Sequence, residues 1–282
     1  MRARTLLLIP AFGTLALAAP SPGSGLLALR ASTAIRLDGR LDESVWREAP
    51  AASGFIQEWP WRGQPARQRT EVRVLYDARF LYIGARMHHD RALDGGQATV
   101  VRRLHRRDQD SQSDWFSVAL DSDHDRRTAQ VFEVNAAGVQ RDQTIYNDST
   151  FDASWDGVWE SATTADADGW TVELKIPLSL LRFKGGMEAQ TWGINFSRTD
   201  QGNLRESSRW MVVPRGESGF VSRFPDLTGL ENLDPQPRRE FIPYLGLARK
   251  FETARGFDDR RWEARAGLDA RLSLNTHAQV DL

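Results

Sequence analysis

The sequence predicts an all-β fold, an antiparallel β-sandwich. Short segments of alternating apolar and polar residues recur along the chain, turn residues separate them, and helical signal is thin. Thr70 to Asp77 alternates, with Val72, Val74 and Tyr76 on one face and Arg73 on the other. Phe80 to Met87 follows across a hairpin-length gap. Asp114 to Asp121 and Ala129 to Asn135 read as the next strands, and Ala136-Ala137-Gly138 turns the chain into Val139 to Ile145. Val158 to Thr164 and Trp170 to Ile176 flank a polar turn. Pro177 ends that strand, and Leu178 to Phe183 predicts a helical turn. Thr191 to Thr199 and Ser207 to Val213 are the last pair. Asp42 to Glu48 predicts two turns of helix with Asp42 as N-cap. The sandwich spans residues 33 to 233 on this reading. A Pro-rich, charged linker follows at 234–240, and alternation then resumes over 241–282.

The chain has 282 residues, long enough to bury a core without disulfides or a structural metal. Lys plus Arg is 37 against 38 Asp plus Glu, a formal net charge of −1, which argues against a nucleic-acid partner. The absence of cysteine excludes disulfide frameworks, Cys-ligated zinc, iron–sulfur clusters and thiol catalysis.

Residues 1–19 have the pattern of a secretory signal peptide. Arg2 and Arg4 form a basic start, Thr5 to Ala16 an apolar run, and Ala16-Leu17-Ala18 a cleavage site. The run is too short to span a bilayer as a helix. Residues 20–32 read as a linker. The mature chain is expected outside the cytoplasm.

Ten tryptophans supply the candidate ligand platforms. Trp46, Trp115, Trp170, Trp192 and Trp210 fall in strand or helix patterns and read as core. Trp59-Pro60-Trp61 falls in a predicted loop, where flat rings flanked by Glu58 and Arg62 suit stacking on a pyranose; packing on the sandwich edge is the alternative. Trp155 and Trp159 are a second pair, for ligand or for packing. Asp121, Asp123 and Asp125 alternate at a strand end, where several oxygens suit a hard cation such as calcium. A capped, solvated turn is the competing reading. His88-His89 place their side chains on opposite strand faces, and no HExxH occurs, so a catalytic zinc is not expected. There is no GxSxG, P-loop or GxGxxG.

An ordered series of motifs resembles the family nine carbohydrate-binding module. They include Leu37-Asp38-Gly39-Arg40-Leu41-Asp42-Glu43-Ser44-Val45-Trp46, Thr70 to Asp77, Leu81 to Gly84, Ser113 to Phe116, His124 to Thr128, Phe132 to Val139, Gly169 to Glu173, Ile176-Pro177 and Trp192 to Phe196. The version found at the N-terminus of outer-membrane β-barrel proteins is the nearer resemblance, and Arg239 to Tyr244 is similar to the start of that barrel. The resemblance implies that 241–282 are the first strands of an incomplete barrel, truncated here. It implies a non-catalytic module that binds polysaccharide or oligosaccharide in carbohydrate catabolism. The setting would be the periplasm, outer membrane or surface of a Gram-negative bacterium, with the missing barrel as membrane partner. It also implies a structural calcium. One alternative is a docking domain of a barrel protein that has lost sugar binding. Another is part of an O-glycosyl hydrolase. The family's sugar binders hold a sugar between two tryptophans. Their places fall at Asp110 to Ser113, which has no aromatic, and near Phe220.

Overall fold

The computed structural model describes residues 24–90, 92–93, 100–186, 188–202, 205–234, 239–254, 257–273 and 279–281. The signal segment 1–19, the start of the 20–32 linker and residues 235–238 of the Pro-rich linker lie outside the described residues.

The strands run in chain order as β1 (Leu26–Leu27), β2 (Leu29–Arg30), β3 (Ile56–Trp59), β4 (Thr70–Tyr76), β5 (Phe80–His88), β6 (Trp115–Asp121) and β7 (Ala129–Asn135). Then come β8 (Gln140–Tyr146), β9 (Thr150–Asp152), β10 (Glu160–Asp166), β11 (Gly169–Pro177), β12 (Gln190–Asp200), β13 (Glu206–Arg209) and β14 (Asp226–Leu230). A larger sheet has the order β1-β14-β12-β6-β7-β8-β9, and β13 then β3 extend it from the other half of β12. A smaller sheet has the order β10-β11-β5-β4-β2.

The two sheets enclose one core. Phe116, Val118, Phe132, Val134, Ile194 and Phe196 come from the larger sheet, and Val72, Val74, Ile83, Met87, Trp170 and Val172 from the smaller. These residues sit at alternate strand positions, so a one-residue slip would turn the whole set to solvent. Each buried side chain of this size contributes on the order of 2 kcal/mol, which makes the register strongly specified. The five tryptophans read as core are all buried. The antiparallel sandwich expected from the alternation is the fold observed.

Two expectations need correction. Part of the 20–32 linker is structured: β1 pairs in parallel with β14, and β2 pairs in parallel with β4. The chain steps from one sheet to the other at the buried Ala28. Two-residue strands are too short to display a period. The helix α1 (Ser44–Glu48) begins after Glu43, not after Asp42. The Glu43 carboxylate makes no cap; it accepts the backbone N–H of Arg36 at 2.8 Å.

The segment 37–46 folds onto the outer face of the smaller sheet, and its residue types follow from that contact. Trp46 and Leu41 lie over Gly84, where any Cβ would come within 2.5 Å of Leu41 and 2.8 Å of the Trp46 ring. Gly39 has φ +80°, and a Cβ there would meet the Thr163 backbone at 2.7 Å. Its N–H and that of Asp38 donate to one oxygen of the buried Glu173, at 2.8 and 3.0 Å. Glu173 Oε1 has no hydrogen-bond partner among the described residues. Burial pushes its pKa up from 4.5 to about 7, against the pull of those two N–H groups.

Residues 239–281 form a separate antiparallel sheet of β15 (Arg239–Ala254), β16 (Phe257–Ser273) and β17 (Gln279–Asp281). It does not close into a barrel among the described residues. Pro243 opposes Leu268, Leu245 opposes Ala266, and Leu247 opposes Ala264. The intervening positions pair Gly246 with Arg265 and Ala248 with Glu263. One face of the ribbon is therefore apolar, and Phe241, Leu245, Leu247 and Leu268 are exposed. Among the described residues no helix is long and apolar enough to cross a membrane.

Glu173 sets a pH dependence. Its folded pKa lies above the unfolded value, so its protonated form favours the fold, and stability falls as pH rises from about 4.5 to about 7. The shift corresponds to about 3 kcal/mol. Glu173→Gln keeps an acceptor for both N–H groups and removes the ionisation. Its melting temperature is expected to decline less than that of the parent chain between pH 4.5 and 7.

Candidate functional site

The pleat of the larger sheet decides what its outer face carries. On β6, Phe116, Val118 and Leu120 point inward, leaving Ser117 and Ala119 outward. Register aligns Ser117 with Ser197 of β12 and Glu133 of β7. Ser197 aligns with Arg209 of β13, and Glu133 with Arg141 of β8. The next row runs Asn195, Ala119, Val131, Gln143. Small residues in mid-sheet between larger ones leave an open hollow.

Ser117, Ala119 and Ser197 lie at its floor, and Arg209, Phe220, Phe151, Glu133 and Gln143 line it around them. Glu133 Oε2 accepts from Arg141 Nε at 2.5 Å and from Gln143 Nε2 at 3.1 Å. Burial opposes the charge on Arg141, but Glu133 holds its pKa above the ordinary arginine value. Arg141 also stacks 4.9 Å over the buried Trp115 ring and reaches Asp110 at 3.4 Å. Arg209 pairs with Glu58 at 2.8 Å and lies 4.7 Å over the Phe220 ring. Burial pushes Arg209 below the ordinary arginine value and Glu58 opposes that shift. Each guanidinium thus has a carboxylate partner, and the lining is close to electrically neutral. Donors and acceptors sit side by side beside an aromatic ring, an arrangement that fits hydroxyl groups on an apolar-faced ring.

Phe220 is held by its loop. Asp148, in the β8–β9 turn, accepts N–H bonds from Phe220 at 3.0 Å and Ser222 at 2.8 Å, and the Ser222 hydroxyl at 2.9 Å. Its own carbonyl accepts the Val221 N–H at 3.1 Å. Burial raises the Asp148 pKa, but these bonds prevail and hold it below the ordinary carboxylate value. Gly219 has φ +99°, and a Cβ there would fall 2.5 Å from Ser222 Oγ. Phe220 packs on Phe151 and Phe224, with centroids 5.9 and 5.0 Å apart.

The residues singled out in the sequence divide clearly. Phe220 is in the hollow. Trp59 lies on the same outer face, as the last residue of β3 rather than in a loop. Trp61 is in the following turn beneath Arg67, 5.2 Å away, which is tied to Glu206 on the inner side of β13. Trp155 and Trp159 stand edge-on to Phe132, with centroids 5.7 and 5.4 Å away, and pack with the inter-sheet core. Trp159 Nε1 donates to the buried Asp142 at 2.7 Å.

The residues Asp121, Asp123 and Asp125 do not converge as calcium ligands. Asp121 accepts the N–H groups of Asp125 and Arg126 at 3.1 and 2.9 Å. Asp125 accepts the Arg127 N–H, the Thr128 N–H and the Thr128 hydroxyl at 2.7, 2.7 and 2.8 Å. Asp123 is exposed. The turn spends its carboxylates on its own amides, and among the described residues no group of three ligating side chains fits a metal ion. Arg209, Glu133, Arg141, Gln143, Asn195 and Phe151 were not singled out in the sequence. Glu133 and Asn195 had a signal in the sequence, as polar residues on outward positions of otherwise apolar strands; the others lie on short or largely polar strands that give none.

The family model described as carbohydrate family 9 binding domain-like matches residues 37–220. A family 9 carbohydrate-binding module from Caldicellulosiruptor kristjanssonii, solved with cellotriose, is 16% identical, with 72% of this chain and 92% of that one covered and a TM-score of 0.51. The same module solved with glucose gives 16%, 72%, 94% and 0.50. A candidate carbohydrate-binding protein from Bacteroides uniformis is 14% identical, covers 73% and 99%, and has a TM-score of 0.56. No curated protein matches.

Loss of the Asp148 carboxylate removes charged hydrogen bonds worth roughly 1–3 kcal/mol. Asp148→Ala is expected to free the 219–222 loop. Trypsin should then cut at Arg215 and Arg223 under conditions where the parent chain resists.

Proposed function

The chain belongs to the carbohydrate family 9 binding domain-like family, and on that premise we propose that it binds a neutral saccharide in the outer-face hollow without catalysing a reaction. The observation that carries this reading is the juxtaposition of Arg209 over Phe220 with Glu133 and Gln143 across a serine floor. Vicinal sugar hydroxyls can accept from the guanidinium and the amide and donate to the carboxylate, while the phenyl ring faces the sugar C–H groups. The paired charges favour a neutral sugar over a uronic acid. The glucose and cellotriose held by the Caldicellulosiruptor module make gluco-configured sugars the first choice.

The context we propose is the cell envelope. It is supported by the signal-like residues 1–19 and by the amphipathic ribbon of β15 and β16. Alternation of apolar and polar positions over long antiparallel strands suits one lipid-facing side. A docking domain without sugar recognition is the second reading, favoured by the lack of an indole among the residues that line the hollow.

Isothermal titration of the full chain against glucose, cello-oligosaccharides, soluble neutral polysaccharides and a polyuronate separates these readings. Binding of a neutral sugar, weakened about 10-fold or more by Phe220→Ala and by Arg209→Ala, is the expected result. Titrations flat for every sugar would leave the docking reading. For the envelope context, the parent chain is expected to float with phosphatidylcholine vesicles, and the pair Leu245→Asp with Leu268→Asp to stay at the bottom of the gradient. A parent chain that also stays there would refute it.

A further inference from the structure

The hollow has a neighbour along the sheet. Strand β3 pairs with β13 so that Ile56 opposes Arg209 and Gln57 opposes Ser208, but Trp59, not Glu58, opposes Ser207. Glu58 is therefore an extra residue in a β-bulge. Without it, strict alternation from the inward, buried Gln57 would send Trp59 inward as well. The bulge resets the parity. Glu58 and Trp59 both reach the outer face, where Glu58 bonds Arg209 at 2.8 Å and the Trp59 indole is 56% exposed. Trp59 is the diagonal neighbour of Arg209 across the strand pair. Arg209 in turn covers Phe220 in the hollow. Arg209 thus lies between the ring in the hollow and the indole at the end of β3.

Resting on the saccharide reading above, we infer that Trp59 is a second sugar subsite and that the ligand is an oligosaccharide running from the hollow across β13 to the β3 edge. One unit sits at Arg209 and Phe220. A following unit stacks on the indole, whose flat face recognises the C–H side of a pyranose whatever its linkage partner. The Glu58–Arg209 pair between them supplies a carboxylate and a guanidinium to the hydroxyls at the junction. Keeping a large apolar ring exposed at the end of an edge strand has a cost, and a stacked sugar is the occupant for which the flanking charges are suited.

The test is a chain-length series, glucose to cellotetraose, titrated into the full chain and into Trp59→Ala, Trp59→Phe and Arg209→Ala. The parent chain is expected to gain about 10-fold or more in affinity between glucose and cellotriose, the worth of one stacked ring. Trp59→Ala should bind glucose within about twofold of the parent and lose that gain, and Trp59→Phe should recover part of it. Arg209→Ala should weaken every member of the series alike. If Trp59→Ala follows the parent at all lengths, the second subsite is refuted and the hollow stands. If Trp59→Ala weakens glucose as much as cellotriose, Trp59 supports the hollow and is not a subsite. If the parent chain binds no member of the series, the gluco-oligosaccharide subsite is refuted, and if it also binds none of the neutral polysaccharides, the saccharide reading falls with it.

Discussion

The pleat governs this molecule. Side chains along a strand alternate strictly between two faces, and the inner face of the larger sheet is committed to Phe116, Phe132, Phe196 and their aliphatic neighbours. Chemistry is left to the other half of the positions. A pocket can exist there only where two adjacent strands place small residues in one row, as Ser117 and Ser197 do, while flanking strands place large ones. The core and the hollow are thus two readouts of one register. Any shift that damages the first erases the second.

Much of the architecture was legible because that alternation is visible in the residues. The bounds of β7 match the alternating segment, and β4, β5, β6, β8, β10, β11 and β12 differ from it by a residue or two at their ends, while β13 stops at Arg209 and not at the expected Val213. The illegible parts have a common cause. β1, β2, β3, β9 and β14 hold two to five residues, too few to display a period, and β1, β2, β3 and β14 pair with strands far away in sequence. The face of Trp59 was hidden for a related reason, since an extra residue in a bulge reverses the parity of every later position in the strand. In the hollow, Phe220 was reached through the family pattern. Glu133 and Arg209 become neighbours only once β7, β6, β12 and β13 are ordered side by side, which no local spacing reveals.

The acidic turns show how residue type alone misleads. Asp121, Asp125 and Asp148 have the composition of cation ligands, yet each carboxylate is turned toward amides of nearby loops. They act as fasteners. Asp148 fastens the loop that presents Phe220, so its contribution to the hollow is positional. Glu173 does the same for the segment ending in Trp46, from the outer face of the smaller sheet, where burial pushes its pKa up to about 7.

The pairing of β1 with β14 has a consequence for how such a module is used. The first and last strands of the sandwich lie side by side and run in parallel, so the chain enters at one end of this strand pair and leaves at the other. Such a unit hands the chain onward like a bead on a thread, and neighbours can be joined before and after it without the connection crossing the sheet. The hollow is borne by the middle strands, not by this pair.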